Sequence, residues 1–302
     1  MHILVALDES RYADTIIRWM RTFPHPPETR LTLAHVMEPL DVPEAVGSYG
    51  QDLVRKHRLA SAEALVARAV KRLEQSYRTV EAVIREGLPI YELLTLLREE
   101  RPAMVVAGTR GLWAAKGLAL GSVSQRLLQY APCSVLLIPF KVEPAKRFKV
   151  LVATDGSPGA KEAVRWVAGL PDIQQIMVLS AIRPFDQGDL AGQGLSEAES
   201  RKVRAEIIRN RREMARRAVE ETAAMLQRDG ASLKTRLALG HPAQAISKEA
   251  ERGRYDLLVV GSRGLTGMTA IALGSVSIAV AQAATCPVLV VKPSAPATES
   301  SR

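Results

Sequence analysis

The sequence of 302 residues predicts two tandem α/β domains, each built on an open, five-stranded parallel sheet. Two observations support this fold class. One unit of about 150 residues, a usual domain size, is written twice, and short apolar runs alternate with helical segments in each half. Such alternation implies parallel strands joined by right-handed helical crossovers. In a doubly wound sheet of this kind, ligands bind beyond the carboxyl ends of the strands, where the strand order reverses.

The repeat extends over nearly the whole chain. The opening "HILVALDESRYADTIIRW" matches "KVLVATDGSPGAKEAVRW" in the second half and aligns Asp8 with Asp155. Domain one is predicted at residues 1–142 and domain two at residues 147–293, joined through the polar, proline-containing segment "PFKVEPAKRFK". The tail, residues 294–302, contains few apolar residues and is predicted to be disordered.

Each half contains five short apolar runs that are typical of buried parallel strands. In the first half these runs are Ile3–Leu7, Leu31–Val36, Val80–Arg85, Met104–Ala107 and Val135–Ile138. In the second half they are Val150–Ala153, Ile176–Ala181, Lys234–Leu239, Leu257–Val260 and Val288–Val291. The third run of the first half is more polar than the others, which favours an edge position in the sheet. Between the strands, Ser10 can cap the first helix, and Leu53–Leu73 is predicted to form a long amphipathic helix.

The composition excludes several classes of protein. Apolar residues make up 47% of the chain, enough for packed cores, yet no run approaches the ~18 apolar residues of a membrane helix. The N-terminus lacks a basic segment and a cleavage site, and Asp8 interrupts its apolar run, so we predict a soluble, cytoplasmic protein without a membrane partner. Cys133 and Cys286 make no disulfide framework and are predicted to be buried, inert thiols.

The net charge of +9, with a pI near 9.8, favours anionic partners in general, although a charged, soluble surface explains the same excess. Much of the charge comes from Arg201–Arg217, "RKVRAEIIRNRREMARR". Within it, Val203, Ile207, Met214 and Ala218 recur at helical spacing and predict a helix face packed on the sheet. The arginines then form a solvated face. Nucleic-acid binding is the less favoured alternative, because glutamates interleave with the arginines and no aromatic residue lies among them.

A glycine pattern recurs at the same place in both halves. "GTRGLWAAKGLALGS" begins at Gly108 and "GSRGLTGMTAIALGS" at Gly261, each directly after the fourth strand. Backbone N–H groups of such a loop can hold an anion, and glycine accepts the positive φ of sharp turns. The serine that closes each pattern begins a helix, whose N-terminus adds free N–H groups and the positive end of its dipole. The pattern predicts a polyphosphate site, unless the glycines serve only as turn residues.

Two common nucleotide motifs do not fit. A Walker A loop requires a closing Gly-Lys-Ser/Thr, and a dinucleotide fingerprint requires its glycines directly after the first strand. The first strand of each half is followed instead by Asp8 or Asp155, whose carboxylates would repel phosphate. Each carboxylate can accept a hydrogen bond from an exocyclic amine or a ribose hydroxyl, so we expect it at another part of a nucleotide.

Taken together, these residues resemble the universal stress protein family, as a tandem two-domain member. The family pattern Gly-x2-Gly-x9-Gly-Ser/Thr is met twice, and so are the strand-Asp-x-Ser opening and the closing segments "APCSVLLIP" and "ATCPVLVVKP". The resemblance implies Rossmann-like domains, similar to the adenine nucleotide alpha hydrolase-like fold, that form an intramolecular pseudo-dimer through their last strands. Two chains can assemble further into a homodimer. It also implies a stress-response or signalling module that binds ATP, with Mg²⁺ able to bridge the phosphates.

The resemblance further implies which residues surround the nucleotide. In the first half they are Ala6, Asp8, Val36, Gly108, Thr109, Arg110, Gly111, Gly121, Ser122 and Val123. In the second half they are Ala153, Asp155, Ala181, Gly261, Ser262, Arg263, Gly264, Gly274, Ser275 and Val276, with Ile182 as the alternative to Ala181. The aspartates would lie near the adenine, Val36 would offer its backbone to the base, and the glycine motifs would surround ribose and phosphates.

The chain departs from the family between the second and third glycines. Family members often carry a basic pair there, whereas the first half keeps only Lys116 before Gly117 and the second half has Thr269 and Ala270. We therefore expect weaker nucleotide affinity in the second half. No residue is assigned to catalysis or to a metal, since no histidine adjoins either motif and no Walker B carboxylate is evident, so hydrolysis should be slow or absent. A nucleotide-independent scaffold and weak nucleic-acid binding are the alternatives.

Overall fold

The computed structural model describes residues 1–39, 47–110, 120–145, 147–186, 196–265 and 273–293. The chain divides into two compact units, the second of which comprises Arg147–Val291. Each unit is an α/β structure on a parallel sheet, as the sequence predicts. Within the described ranges, no helix is both long and apolar enough to cross a membrane.

Strands and helices alternate through the first unit. In chain order they are β1 (His2–Leu7), α1 (Tyr12–Met20), β2 (Arg30–Met37), α2 (Gly47–Leu73), β3 (Thr79–Glu86), α3 (Pro89–Glu100), β4 (Met104–Gly108), α4 (Ser122–Tyr130) and β5 (Ser134–Ile138). The strands pair in parallel in the order β3-β2-β1-β4-β5. The strand order therefore reverses between β1 and β4.

The second unit repeats this arrangement. Its elements are β6 (Phe148–Ala153), α5 (Pro158–Ala168), β7 (Ile173–Ile182), α6 (Glu197–Leu226), β8 (Ser232–Leu239), α7 (Pro242–Gly253), β9 (Leu257–Gly261), α8 (Ser275–Ala283) and β10 (Val288–Val291). The parallel order is β10-β9-β6-β7-β8. Here the reversal falls between β6 and β9, which are the counterparts of β1 and β4.

The central strands of each sheet are buried, whereas the third strand of each unit, at the edge, is partly exposed. Every residue of β4 and β5 is buried, as continuous apolar runs require when helices cover both faces of a sheet. In β3 and β8, by contrast, every residue is half-buried or exposed. Because each of these strands ends the strand order of its unit, the predicted edge position of the polar third strand is confirmed.

The helices begin with different caps in the two units. Ser157 caps α5 and accepts the Ala160 N–H at 3.2 Å. In α1 the N-cap residue is Arg11, and the Ser10 hydroxyl accepts the Tyr12 N–H at 3.2 Å instead. Helix α2 starts at Gly47, earlier than the predicted Leu53. The prediction began too late because the first turns of the helix are polar and show no apolar periodicity.

Of the predicted packed face of α6, Ala218 is buried and Val203 and Ile207 are half-buried, but Met214 is exposed. Met214 is 55% exposed, whereas its neighbour Ala215 is buried together with Ala218, Val219, Thr222 and Leu226. These residues follow the i, i+3, i+4, i+7 spacing of one helix face, and Met214 lies beside that face. No residue of the helix before Ala215 is buried, so the first half of α6 has little of its surface covered by the sheet.

Candidate functional site

The predicted aspartates and glycine loops meet at the reversal point of each sheet. Asp8 directly follows β1, and the loop that begins with Gly108 follows β4, which pairs with β1 in parallel. In the second unit, β6 and β9 bring Asp155 and Gly261 to the equivalent edge. Because the carboxyl ends of adjacent parallel strands meet there, each unit has the crevice in which doubly wound sheets bind ligands.

Three hydrogen bonds fix the start of the glycine loop in the first unit. The Thr109 N–H donates to the Ile138 carbonyl at 3.0 Å, and the Gly121 N–H donates to the Thr109 carbonyl at 2.7 Å. The Ser124 hydroxyl donates to the Gly108 carbonyl at 2.6 Å. These bonds hold the carbonyl groups of the loop toward the protein and join the loop to the start of α4.

The second unit contains the same three bonds. The Ser262 N–H donates to the Val291 carbonyl at 2.7 Å, and the Gly274 N–H donates to the Ser262 carbonyl at 2.8 Å. The Ser277 hydroxyl donates to the Gly261 carbonyl at 2.7 Å. The hydrogen-bond frame of the loop is therefore duplicated along with the sequence.

Ser124 and Ser277 are residues of the candidate site that the sequence analysis did not include. Both are nearly fully buried, at 4% and 5% exposure, and each closes the bond between loop and helix. The repeated "GSVS" was the available signal, because its second serine recurs as faithfully as its first. The first serine of each copy begins a helix and is exposed, whereas the second turns inward.

The helix that follows each loop begins with unused N–H groups. In α4 the N-cap is Gly121, which has no side chain to cap the helix, and the first intrahelical bond runs from the Gln125 N–H to the Gly121 carbonyl at 2.9 Å. In α8 the equivalent bond joins Ile278 to Gly274 at 3.1 Å. The amides before these bonds lack intrahelical acceptors and carry the positive end of the dipole. They belong to the predicted residues Ser122, Val123, Ser275 and Val276.

The motif positions need glycine because there is little space for a side chain, and not because the backbone has a positive φ. Gly108, Gly121, Gly261, Gly264 and Gly274 all lack a positive φ, so none of these five forms the left-handed turn that glycine would allow. A Cβ on Gly108 would lie 3.0 Å from Cδ1 of Tyr12 and 3.1 Å from the Arg110 carbonyl oxygen. A Cβ on Gly261 would lie 2.4 Å from the carbonyl carbon of Gly159, closer than any real side chain approaches. The end of β9 therefore passes too close to α5 for a larger residue, and the end of β4 lies tightly against Tyr12 of α1.

The glycine loop of the second unit rests on the aspartate. Asp155 Oδ1 accepts the Ser157 N–H at 3.0 Å, and Asp155 Oδ2 accepts the Leu265 N–H at 3.2 Å. The Ser157 hydroxyl donates to the Arg263 carbonyl at 3.3 Å. Gly264 permits this contact, since a Cβ there would lie only 2.7 Å from Asp155 Oδ2. Both carboxylate oxygens and one loop amide are thus engaged within the protein.

The aspartate of the first unit has one oxygen without a hydrogen bond to any described residue, and Leu112, the counterpart of Leu265, lies outside those residues. Asp8 Oδ1 accepts the N–H of Ser10 at 3.1 Å and also its hydroxyl, while Oδ2 has no hydrogen bond within the described part of the chain. Tyr12 occupies the position that Gly159 has in the second unit, and its ring packs on Phe140 with centroids 5.2 Å apart. Tyr12 thus has a side chain beside Gly108, whereas in the second unit the Arg263 carbonyl oxygen of the loop lies 2.4 Å from where a Cβ on Gly159 would be.

The remaining predicted residues line the same strand ends. Ala6 is half-buried near the end of β1, and Ala153 is buried at the end of β6. The strand registers make Ala181, rather than Ile182, the counterpart of Val36, and both are half-buried near the ends of their strands. Thus the structure brings every described residue of the predicted set to the two crevices or to the elements that border them.

His35 is a further residue at the site that the sequence did not indicate. It is buried on β2, and its Nδ1 lies 2.9 Å from the Leu7 carbonyl, to which it donates. This bond fixes the end of β1 one residue before Asp8. The second unit has Ser180 at the equivalent position, so no repeat marked the histidine.

Two arginines supply positive charge to the loops. Arg110 and Arg263 are half-buried, and neither forms an ion pair with a described residue. The predicted residues Gly111, Lys116, Gly117, Thr269 and Ala270 lie outside the described residues. Within the described ranges, no group of three His, Cys, Asp or Glu residues could hold a metal ion.

The two cysteines behave as predicted. Both are free, Cys286 is buried and Cys133 is half-buried. Burial raises the pKa of the Cys133 thiol to about 11 and that of Cys286 to about 12. Because the thiolate is the reactive form, neither side chain is suited to nucleophilic chemistry.

Fold and site together define a tandem α/β protein with a repeated glycine loop at the strand ends, and comparisons with known proteins identify the family. The model of the universal stress protein family matches residues 1–139 and 146–292, so the chain belongs to that family. It is 30% identical over 300 residues to a universal stress protein of Mycolicibacterium smegmatis, covering 96% of this chain and 97% of that protein. Universal stress protein Rv2623 of Mycobacterium tuberculosis is 28% identical, with coverages of 97% and 96%.

A solved structure supports the fold along the whole chain. The crystal structure of a universal stress protein from Archaeoglobus fulgidus matches with a TM-score of 0.62 at 20% identity. The match covers 96% of this chain and 98% of the other. The tandem arrangement is therefore shared along the full length of both proteins.

Proposed function

We propose that this universal stress protein binds ATP in the crevice of its first unit and, more weakly, in that of its second, as a nucleotide-dependent stress-response module. The observation that carries the proposal is the loop frame at the end of β4. It turns carbonyl groups inward and places the start of α4, with its unused amides, beside the loop. Such an arrangement suits a chain of phosphates, because N–H groups converge without a competing carboxylate.

The residues present fit an adenine nucleotide in the first unit. The loop from Gly108 to Arg110, together with Ser122 and Val123, would hold the phosphates. The Oδ2 atom of Asp8 would accept a hydrogen bond from the adenine amine or a ribose hydroxyl, and Val36 lies at the neighbouring strand end. Any Mg²⁺ would be held chiefly by the phosphates, since the site offers no carboxylate cluster within the described residues.

The second crevice must rearrange before it can bind a nucleotide. Its Asp155 already accepts the Leu265 N–H, so a nucleotide would first have to displace that contact. The same displacement would separate Arg263 from Ser157. Two bonds must therefore break before this loop can present its amides, and we infer a lower affinity for the second unit.

Binding with slow or no hydrolysis fits the chemistry of the site. Asp8 is the nearest carboxylate, and its hydrogen bonds to Ser10 fix it at the end of β1 rather than at the phosphate loop. Hydrolysis requires a positioned water together with stabilisation of the developing charge. Of these, the described residues offer only Arg110 and the backbone amides.

Titration calorimetry of the full chain with ATP tests the proposal, and Asp8→Asn and Asp155→Asn form a matched pair. Losing a hydrogen bond to a charged group costs roughly 1.5–3 kcal/mol, so Asp8→Asn should weaken the tighter site by about tenfold or more. Asp155→Asn should leave that site unchanged.

Thermal unfolding of both variants serves as the control for folding. No heat of binding with millimolar ATP, ADP or AMP would refute the proposal and favour a nucleotide-independent scaffold. An equal loss of affinity in the two variants would refute the inequality of the crevices.

A further inference from the structure

The second unit carries an open apolar groove outside the glycine loop. It has a volume of about 680 Å³ and lies between α6 and the edge of the sheet. Ile182 at the end of β7 and Ile208 on α6 contribute to its floor, together with Leu237 and Leu239 of β8. The two leucines are 42% and 69% exposed. Apolar side chains this exposed, gathered in one groove, are typical of an interaction surface.

The rim of the groove is positively charged. Arg209, Arg212 and Arg216 line it beside a single acid, Glu213. Arg216 is neutralised, because it contacts Glu213 at 2.9 Å and Glu220 at 2.7 Å. Arg209 has one long ion-pair contact, 3.7 Å to Glu206 on the same helix. Arg212 has no ion-pair partner in the part of the chain that the structure describes. Two arginines are therefore available to an acidic partner.

In the first unit, an ion pair spans the position that the groove occupies in the second unit. There Arg55 of α2 and Glu86 at the end of β3 form an ion pair at 2.7 Å. Helices α2 and α6 end at equivalent residues of the repeat, and so do β3 and β8, so Ile208 stands in place of Arg55 and Leu239 in place of Glu86. The second unit thus replaces a polar bridge with two apolar side chains.

The charge of the rim changes in the same comparison. Arg212 stands where the first unit has Leu59, and Arg216 stands where it has Glu63. A surface that only needed solubility would gain nothing from exposing leucine in place of a paired glutamate. Apolar groups at the floor and cations at the rim together suit a ligand that is both apolar and acidic.

The backbone beside the groove is also available. Within its unit, β8 pairs with β7 alone among the described residues, so its other edge presents unpaired N–H and C=O groups. An extended peptide can add to such an edge, where main-chain hydrogen bonds give affinity and alternate side chains give specificity. Side chains on one face of the added strand would reach the floor leucines and the α6 arginines.

We propose that this groove, together with the free edge of β8, binds an extended segment of a partner protein that carries both apolar and acidic residues on one face, that is, at every second position. A second copy of the chain is a poorer occupant, because pairing two such edges would bring like-charged rims together. Nucleic acid is also a poorer occupant, because phosphates would leave Leu237 and Leu239 uncovered. The proposal does not depend on nucleotide binding.

Selection from a random nonapeptide display library tests it, with the immobilised full chain as bait. The matched control is Ile208→Arg/Leu239→Glu, which copies the ion pair of the first unit. Enriched peptides should carry both apolar residues and Asp or Glu at every second position, and the control should bind them at least tenfold more weakly, measured by fluorescence anisotropy. Arg212→Leu should also weaken them severalfold, and the loss should shrink at high salt.

Each other outcome overturns the proposal. Enrichment of basic peptides, or equal binding by the control variant, would show that the groove does not select the partner. The absence of any peptide that distinguishes the two baits would do the same. Binding to phosphatidylglycerol vesicles that is lost in Arg212→Leu, yet is equal for the original chain and the control variant, would assign the arginines to a membrane surface. Circular dichroism and thermal unfolding establish that both variants are folded.

Discussion

The close contact between β9 and α5 makes Gly261 and Gly108 unequal, although they occupy the same position of the repeat. A Cβ on Gly261 would meet three backbone atoms of Gly159 and Ala160 at 2.4, 2.5 and 2.8 Å. A Cβ on Gly108 would meet the Tyr12 side chain at 3.0 Å, where the ring can shift. We therefore predict that Gly261→Ala destabilises the protein considerably more than Gly108→Ala.

The magnitude follows from the displacement that each methyl group requires. Reaching an ordinary 3.4 Å contact means moving the α5 backbone by about 1 Å from β9, because backbone atoms cannot rotate away. Overpacking typically costs about 1–3 kcal/mol, and a rigid neighbour places Gly261→Ala at about 2–3 kcal/mol. The few tenths of an ångström needed at Gly108 should cost under about 1 kcal/mol.

Calorimetric unfolding combined with hydrogen exchange measures both the size and the place of the effect. About 2–3 kcal/mol should lower the Tm of a unit of this size by roughly 4–12 °C. In Gly261→Ala, faster exchange should be confined to Arg147–Val291. Equal destabilisation by the two variants, or a harmless Gly261→Ala, would refute the argument that backbone proximity selects these glycines.

Three further predictions concern the thiols, the loop and the buried serine. At pH 8, Cys133 should react with iodoacetamide roughly 100-fold and Cys286 roughly 1000-fold more slowly than an unburied thiol, since burial raises both pKa values, and rates should rise with pH and on denaturation. Gly159→Ala should push the Arg263 carbonyl off α5 and speed amide exchange at Leu265, because the new Cβ would lie 2.4 Å from that oxygen. Ser124→Ala should cost about 1 kcal/mol in urea unfolding through the lost bond to Gly108; unchanged values would contradict each prediction.

Local patterns in the sequence were sufficient for the strands and for placing Asp8 and Gly108 at neighbouring strand ends. Continuous apolar runs give the strands, because helices cover both faces of a parallel sheet, and the polar third run gives its edge. The positions of Asp8 and Gly108 followed from chain order alone, since both directly follow predicted strands. Where a feature depends on residues close in the chain, its recurrence in the second half provided independent support for the prediction.

Features that depend on distant residues could not be predicted in this way. The contact of Gly261 with Gly159 and the bond from Leu265 to Asp155 join segments far apart in sequence. The packed face of α6 was predicted only in part for a related reason. Its apolar residues occur all around the first half of the helix, and only packing against the sheet selects Ala215 over Met214.

The repeat also shows how one substitution can set the availability of a site. Both loops share the same hydrogen-bond frame, but Gly159 leaves room for the second loop to lie on α5, where the first unit has the side chain of Tyr12. The two bonds of the closed loop should contribute about 0.5–1.5 kcal/mol each. A closed state favoured by about 1–3 kcal/mol would lower apparent nucleotide affinity by about 5- to 150-fold. Ligand at 100 times its Kd supplies about 2.7 kcal/mol, so the second crevice should fill only at nucleotide concentrations well above those that saturate the first.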